Sequence, residues 1–178
     1  MQDQVLPTVL DNIFRDHSTP DAVFSAGVSA LGEVLQCDRI FLYLRDPHTR
    51  IGKVPYCWLR SSEYPNILDS DWKQEPESLP QEDPLFAAAL RTEPSIFVED
   101  VETANPQVVN KAFEEKEFGH RALVHAHLCF DGVLWGILQP CVFGEPRVWT
   151  QQDRSIIAAV TEKFTPLAVA YIKAANSK

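Results

Sequence analysis

The 178-residue chain has no Cys-x-x-Cys pair, no glycine-rich phosphate loop, no His-Glu-x-x-His and no Gly-x-Ser-x-Gly. These absences remove zinc-ribbon scaffolds, P-loop nucleotide chemistry, zinc proteases and the α/β-hydrolase nucleophile from consideration. Four scattered cysteines, Cys37, Cys57, Cys129 and Cys141, read as reduced and mostly buried thiols that pack like small hydrophobes. Cations are scarce as well: 16 Lys and Arg against 25 Asp and Glu give a formal charge of −9, with no basic cluster. Such a surface repels phosphate, which argues against nucleic acid and anionic membrane surfaces as partners. No apolar run approaches the ~20 residues that span a bilayer. Met1-Gln2-Asp3-Gln4 lacks the positive start of a secretory signal. The expectation is a soluble, cytoplasmic protein with a single core.

What is present is a succession of periodic segments. Residues 4–16 place Val5, Leu6, Val9, Leu10, Ile13 and Phe14 at helical spacing. A second helix restarts at Ser18-Thr19-Pro20-Asp21, with Thr19 as N-cap and Pro20 at the first helical position, and runs to about residue 35. Residues 39–44 and 54–59 are rich in β-formers and read as strands, joined by a loop over 48–53. Residues 61–83 are polar, hold three prolines, and read as a long loop. A short helix over 86–90, a strand over 95–98 and a helix over 106–118 follow. Two apolar runs, 122–130 and 133–143, flank Asp131-Gly132, a pair suited to the positive φ angles of a type I′ hairpin turn. Thr150 caps a final helix, with Asp153 three residues on and Ile156, Val160, Phe164, Leu167 and Tyr171 as its apolar stripe. Pro166 is expected to kink it. This order implies an α+β fold, an antiparallel sheet with helices packed on it and helical termini. Residues 1–18 read as an N-terminal helix and residues 19–178 as a single domain.

One stretch carries a family pattern. Trp135-Gly136-Ile137-Leu138-Gln139-Pro140-Cys141 leads through Gly144-Glu145-Pro146-Arg147 to Trp149. That order resembles the last strand and helix start of the GAF domains of phytochromes and cyanobacteriochromes, W-G-L-L-x-A-H-x-x-S-x-P-R-x-W, without a gap. Residues 37–43 resemble the family's first strand, ADRVLIYRF. Asp83-Pro84-Leu85-Phe86 resembles the D-x-C-F of one cyanobacteriochrome branch. Residues 96–101 resemble the AIxDI strand, with Asp100 at its acidic position, and residues 118–124 resemble F-x-V-R-A-x-L-V-V.

The resemblance implies a GAF-like fold and a ligand pocket with contacts from Phe86, Asn110, Trp135 and Cys141. It also implies that covalent bilin attachment has been lost. Counting back from Phe118 puts Asn110-Lys111 where the family has the Cys-His that forms the thioether. Leu85 stands where a second cysteine would be, and Cys141 stands at the family's pocket histidine. No cysteine occurs between Cys57 and Cys129.

Other constellations read as structural. On a strand, His125, His127 and Cys129 share one face and are good metal ligands. Same-face neighbours stand ~7 Å apart, however, too far to converge easily on one ion. A two-residue turn would put Cys141 opposite Ala122, on the other face. The expectation is no metal, with the histidines packed under a helix or lining a polar cavity. Glu114, Glu115 and Glu117, interleaved with Lys111 and Lys116, read as a solvated helix face. Asn110-Lys111 and Phe113 resemble the opening of the cyclic-nucleotide GAF signature, whose Asp-Glu ending is absent. The cysteine cluster of the free-methionine-sulfoxide reductases is absent from residues 95–101.

The resulting expectation is a stand-alone, non-catalytic regulatory or protein-interaction module. It would associate with a protein partner, or with itself as a homodimer, through the apolar stripes of residues 5–14 and 156–171. The alternative is a small-molecule sensor that holds a bilin, another tetrapyrrole or a different planar ligand noncovalently. Cavity volume separates the two, because a sensor needs an open apolar pocket on the order of several hundred Å³.

Overall fold

The computed structural model of the chain describes residues 6–177, so Val5 and the residues before it lie outside the described structure. Six strands, β1 (Arg39–Asp46), β2 (Ile51–Leu59), β3 (Asp69–Gln74), β4 (Ile96–Val98), β5 (Ala122–Phe130) and β6 (Val133–Val142), form one sheet in the order β3-β2-β1-β6-β5-β4. Every neighbouring pair is antiparallel. Helices α1 (Thr8–Asp16), α2 (Pro20–Leu35) and α6 (Gln151–Asn176) share the main core with one face of the sheet. The short helices α3 (Leu79–Glu82), α4 (Pro84–Leu90) and α5 (Lys111–Glu117) lie over the other face.

Local sequence accounts for the helix ends. The Thr19 hydroxyl accepts the Ala22 N–H at 3.3 Å ahead of Pro20, so α2 starts at a capped, preset turn. Thr150 and Asp153 form a reciprocal capping box at 3.0 and 3.1 Å. From there α6 runs 26 residues through Pro166. By length and composition alone it could cross a membrane. Its apolar stripe, from Ile156 and Val160 to Phe164 and Ile172, is packed in the core instead. At Gly27 the bare Cα lets α2 approach Phe164 of α6, since a Cβ there would meet the ring at 2.8 Å. Phe24 meets the same ring edge-on at 5.0 Å.

The β5–β6 hairpin turns at Asp131 (φ 55°) and Gly132 (φ 76°), both positive as a type I′ turn demands. The register then departs from simple alternation. Cys129 faces Leu134, but Leu128 faces Gly136, so Trp135 is an extra residue in β6. Beyond this bulge the parity is inverted, and Cys141 pairs with Leu123, not with Ala122. That corrects the expectation above: Cys141 shares the sheet face of His125 and His127.

Two further expectations change. Within the expected loop over 61–83, residues 69–74 form the edge strand β3, held by backbone pairing to Ile51, Gly52 and Val54 of β2. Its side chains are almost all exposed, so no apolar alternation marks it in the sequence. The pairing also draws Ile51 and the residues after it out of the expected loop into β2. The helix expected over 106–118 is confined to α5, because the Asn105 side chain closes a turn onto Gln107 N–H and Asn110 caps only the last segment.

The residues that carry the family resemblance work as fasteners. Arg147 pairs with Asp153 at 3.1 Å, reaches the Gln36 carbonyl at 3.3 Å, and lies 4.6 Å from the centre of the Trp149 ring. Trp149 Nε1–H donates to the Val98 carbonyl at 3.1 Å. Together they tie the start of α6 to the end of α2 and to β4.

Candidate functional site

The face opposite α2 and α6 carries a cavity of about 480 Å³. Its floor is the sheet, where the pleat turns Phe41, Tyr43, His125, Ile137 and Gln139 to one side. Phe86 of α4, Phe113 of α5 and Phe118 add aromatic walls. Phe118 stacks on Phe41 with centroids 5.8 Å apart and planes 9° apart.

A buried ion pair fixes one side. Arg45 grips Glu75 through Nε and Nη2, both at 2.7 Å, and donates from Nη1 to the Leu134 carbonyl. The Tyr43 hydroxyl donates to the same carboxylate at 2.6 Å. Burial and the Glu75 charge raise the Tyr43 pKa, so the phenol stays a donor. This bidentate grip anchors the chain that follows β3 against the sheet.

The floor offers acceptors. His127 Nδ1 lies 2.7 Å from the Glu93 carbonyl, and a carbonyl only accepts, so Nδ1 carries the proton. Burial lowers the pKa of both His127 and His125, well below the ordinary value for the latter, where the neighbouring imidazoles His127 and His120 add to the effect. Both rings are therefore neutral. His127 Nε2 accepts from His125 Nδ1 at 2.8 Å, which leaves the bare Nε2 of His125 as its remaining polar atom at the cavity. Beside it lies Gln139, 5% exposed, whose Oε1 is sealed from the cavity and has no partner, a costly arrangement.

Behind Phe118 lies a second polar cluster. Glu114, expected on a solvated face, is 1% exposed and meets His120 Nε2 at 2.5 Å. His120 Nδ1 faces Cys141 Sγ at 3.3 Å and Arg39 Nη2 at 3.5 Å. Arg39 is itself fully buried and donates to the Pro65 and Phe118 carbonyls. Burial raises the Glu114 carboxyl to about 8, against the opposing charge of Arg39. Asp83, at the cavity edge, is raised to about 7 by burial and then by Glu114, with the Phe86 and Leu85 N–H groups opposing.

The four pocket residues expected from the sequence do not converge. Phe86 lines the cavity, whereas Asn110, Trp135 and Cys141 do not. Asn110 caps α5 through Phe113 N–H and donates to the Glu82 carbonyl at 2.8 Å, joining α5 to α3. The bulge turns Trp135 into the helix-side core, where its indole N–H donates to the Phe130 carbonyl. Cys141 packs in the Arg39–His120 cluster. Leu85, at the position of the second family cysteine, is buried against Val98, Val109 and Leu123.

His125 and His127 bond to each other, and Cys129 packs with the Phe86 cluster. Among the described residues no group of three His, Cys, Asp or Glu side chains is arranged to hold a metal ion. Gln139, Asp83 and Glu117 were missed as cavity residues. Gln139 alone left a signal, as a polar residue inside an apolar strand.

Comparison with known proteins follows from this geometry. The GAF domain family model matches residues 19–164. Comparison with curated proteins gives no match. Among solved structures, the phycoerythrobilin-bound GAF domain from a cyanobacterial phytochrome aligns with TM-score 0.71 at 17% identity, covering 96% of each chain. A far-red absorbing dark state with bound biliverdin IXα aligns at 0.68 and 14% identity, covering 94% of this chain and 99% of that one. The GAF domain from an Acinetobacter phosphoenolpyruvate-protein phosphotransferase aligns at 0.67 and 11% identity, covering 94% and 95%. At these identities the likeness is one of fold.

Proposed function

The chain belongs to the GAF domain family, and from that premise we propose that it is a non-catalytic regulatory domain sensing a small planar molecule held noncovalently. The observation that carries this reading is the cavity of about 480 Å³, walled by aromatic rings and floored in part by the neutral His125 imidazole. Its size lies within the ~300–1,000 Å³ range of ligand pockets, which favours the sensor over a purely protein-binding module. No Cys lines it among the described residues, so no thiol for a thioether is supplied at the wall.

A bilin fits this wall poorly. Its pyrrole N–H groups would find an acceptor in His125. Its two propionates would meet Glu82, Asp83 and Glu117, with Lys53 and Lys73 as the cations on the lining among the described residues. We therefore assign the cavity to another planar ligand. The signal would leave through the terminal helices to a protein partner or a second copy. Lys53 supports that route: it borders the cavity, and its ammonium lies 4.3 Å from the Trp72 ring and 5.3 Å from Tyr171 of α6.

Thermal denaturation with biliverdin, a purine, a pterin and an acridine tests the reading. At least one planar compound should raise the midpoint of the wild type and leave a folded, cavity-filling Gln139→Trp variant unmoved. Shifts absent from the whole set would favour the protein-interaction reading.

A further inference from the structure

We propose that the ligand of this cavity is an organic cation, a flat protonated heterocycle or amidine that presents an N–H donor on one edge. The inference rests on the sensing function above and names its chemistry. Five carboxyl groups border the cavity (Asp69, Glu75, Glu82, Asp83 and Glu117) against two ammonium groups, Lys53 and Lys73. The internal pairs account for part of this excess. Lys73 holds Asp69 at 2.6 Å, and Glu75 is taken by Arg45 and Tyr43. Glu82 and Glu117 then outnumber Lys53, whose ammonium is drawn to the Trp72 and Tyr171 rings, while burial raises Asp83 to about 7 and leaves it part-protonated. The net field inside is negative, and an apolar wall strengthens it.

Two independent features select the same chemistry. The aromatic rings Phe41, Phe86, Phe113 and Phe118 offer negative π-faces, and one of them already attracts a cation, since Arg45 lies 5.8 Å from the centre of Phe86. The floor, moreover, holds an acceptor in want of a donor: the relay from the Glu93 carbonyl through His127 leaves His125 Nε2 unprotonated. A planar edge bearing an N–H group would satisfy that atom while its charge faced the carboxylates. A phosphate or carboxylate ligand would do neither.

The test uses two dyes with the same three-ring skeleton: proflavine, which is cationic at neutral pH, and acridine-9-carboxylate. Each is titrated by fluorescence into the full chain at low salt. The expected result is that proflavine binds about tenfold tighter or better, a difference of roughly one decade per 1.4 kcal/mol. The double variant Glu82→Gln, Glu117→Gln should shrink that preference about threefold or more, and Gln139→Trp should abolish saturable binding of proflavine, its fold being checked by circular dichroism. Equal or reversed preference, with both dyes lost in Gln139→Trp, would overturn the cationic assignment and leave the sensing function standing. Proflavine binding unchanged in Gln139→Trp would mark a surface effect of the acidic chain and overturn the proposal. Saturable binding of neither dye, with no thermal shift from the neutral compounds above, would remove both readings together.

Discussion

Glu114 and His120 stand six residues apart in sequence and meet side chain to side chain, sealed from solvent at 1% and 2% exposure. The contact exists because α5 ends at Glu117 and the chain then reverses at Gly119, whose φ of 74° is a left-handed turn. Gly119 N–H caps the Glu114 carbonyl at 2.8 Å, and the next residue falls back over the helix. The pair thereby fastens α5 to the sheet through Arg39 and Cys141.

Removing either member leaves a buried polar group without its partner. Glu114→Ala or His120→Ala should each cost about 1–3 kcal/mol, read as a lower urea midpoint with an unchanged slope. The double variant should cost less than the sum of the two. Additive losses would mean that the groups do not act as a pair.

Stability should also fall as pH rises. Burial lifts Glu114 from 4.5 to about 8 and Asp83 from 3.8 to about 7, so the folded chain holds protons that the unfolded chain has released. Their stabilising contribution is complete below pH 3.8, declines through the interval, and is gone above about pH 8. Glu114→Gln mimics the protonated carboxyl. Its unfolding midpoint should therefore gain on the wild type between about pH 5 and pH 8, and a constant offset across that range would contradict the assignment.

Much of the fold was legible because it rests on local chemistry. The Thr19-Pro20 and Thr150–Asp153 caps and the Asp131-Gly132 turn announce themselves in a few residues each. The edge strand β3 was not legible, since an exposed strand joined by backbone bonds needs no apolar alternation. The site was less legible still. One bulge at Trp135 inverted the facing of every later residue in β6, which moved Cys141 to the other side and turned Trp135 away from the cavity. Glu114 looked solvated because its partner comes from beyond the helix, where no periodicity within the helix can point to it.

Asn110 should prove structural. Its side chain caps α5 and reaches the Glu82 carbonyl, so Asn110→Ala should cost about 1 kcal/mol. Hydrogen exchange should speed up in α5 and in the turn after α3, with the β5–β6 hairpin unaffected. Faster exchange throughout the molecule would deny Asn110 a local role.

In cells that make biliverdin and phycocyanobilin, the purified chain should show no visible absorption band that survives denaturation. Asn110→Cys should show none either, because residue 110 lies off the cavity wall at the foot of α5. A band that stays with the denatured Asn110→Cys polypeptide would place that position at the chromophore after all.

Leu138 and Gln139 are consecutive in β6, yet the first is buried beneath α2 and α6 and the second floors the cavity. One step along the strand, ~3.3 Å of backbone, therefore separates the residue that looks into the chamber from the residue that bears on the helices. A tilt of the peptide that these two residues share would be felt on both faces at once. The sheet acts here as a membrane does in a drum, with the striking side and the sounding side made of the same few peptide planes.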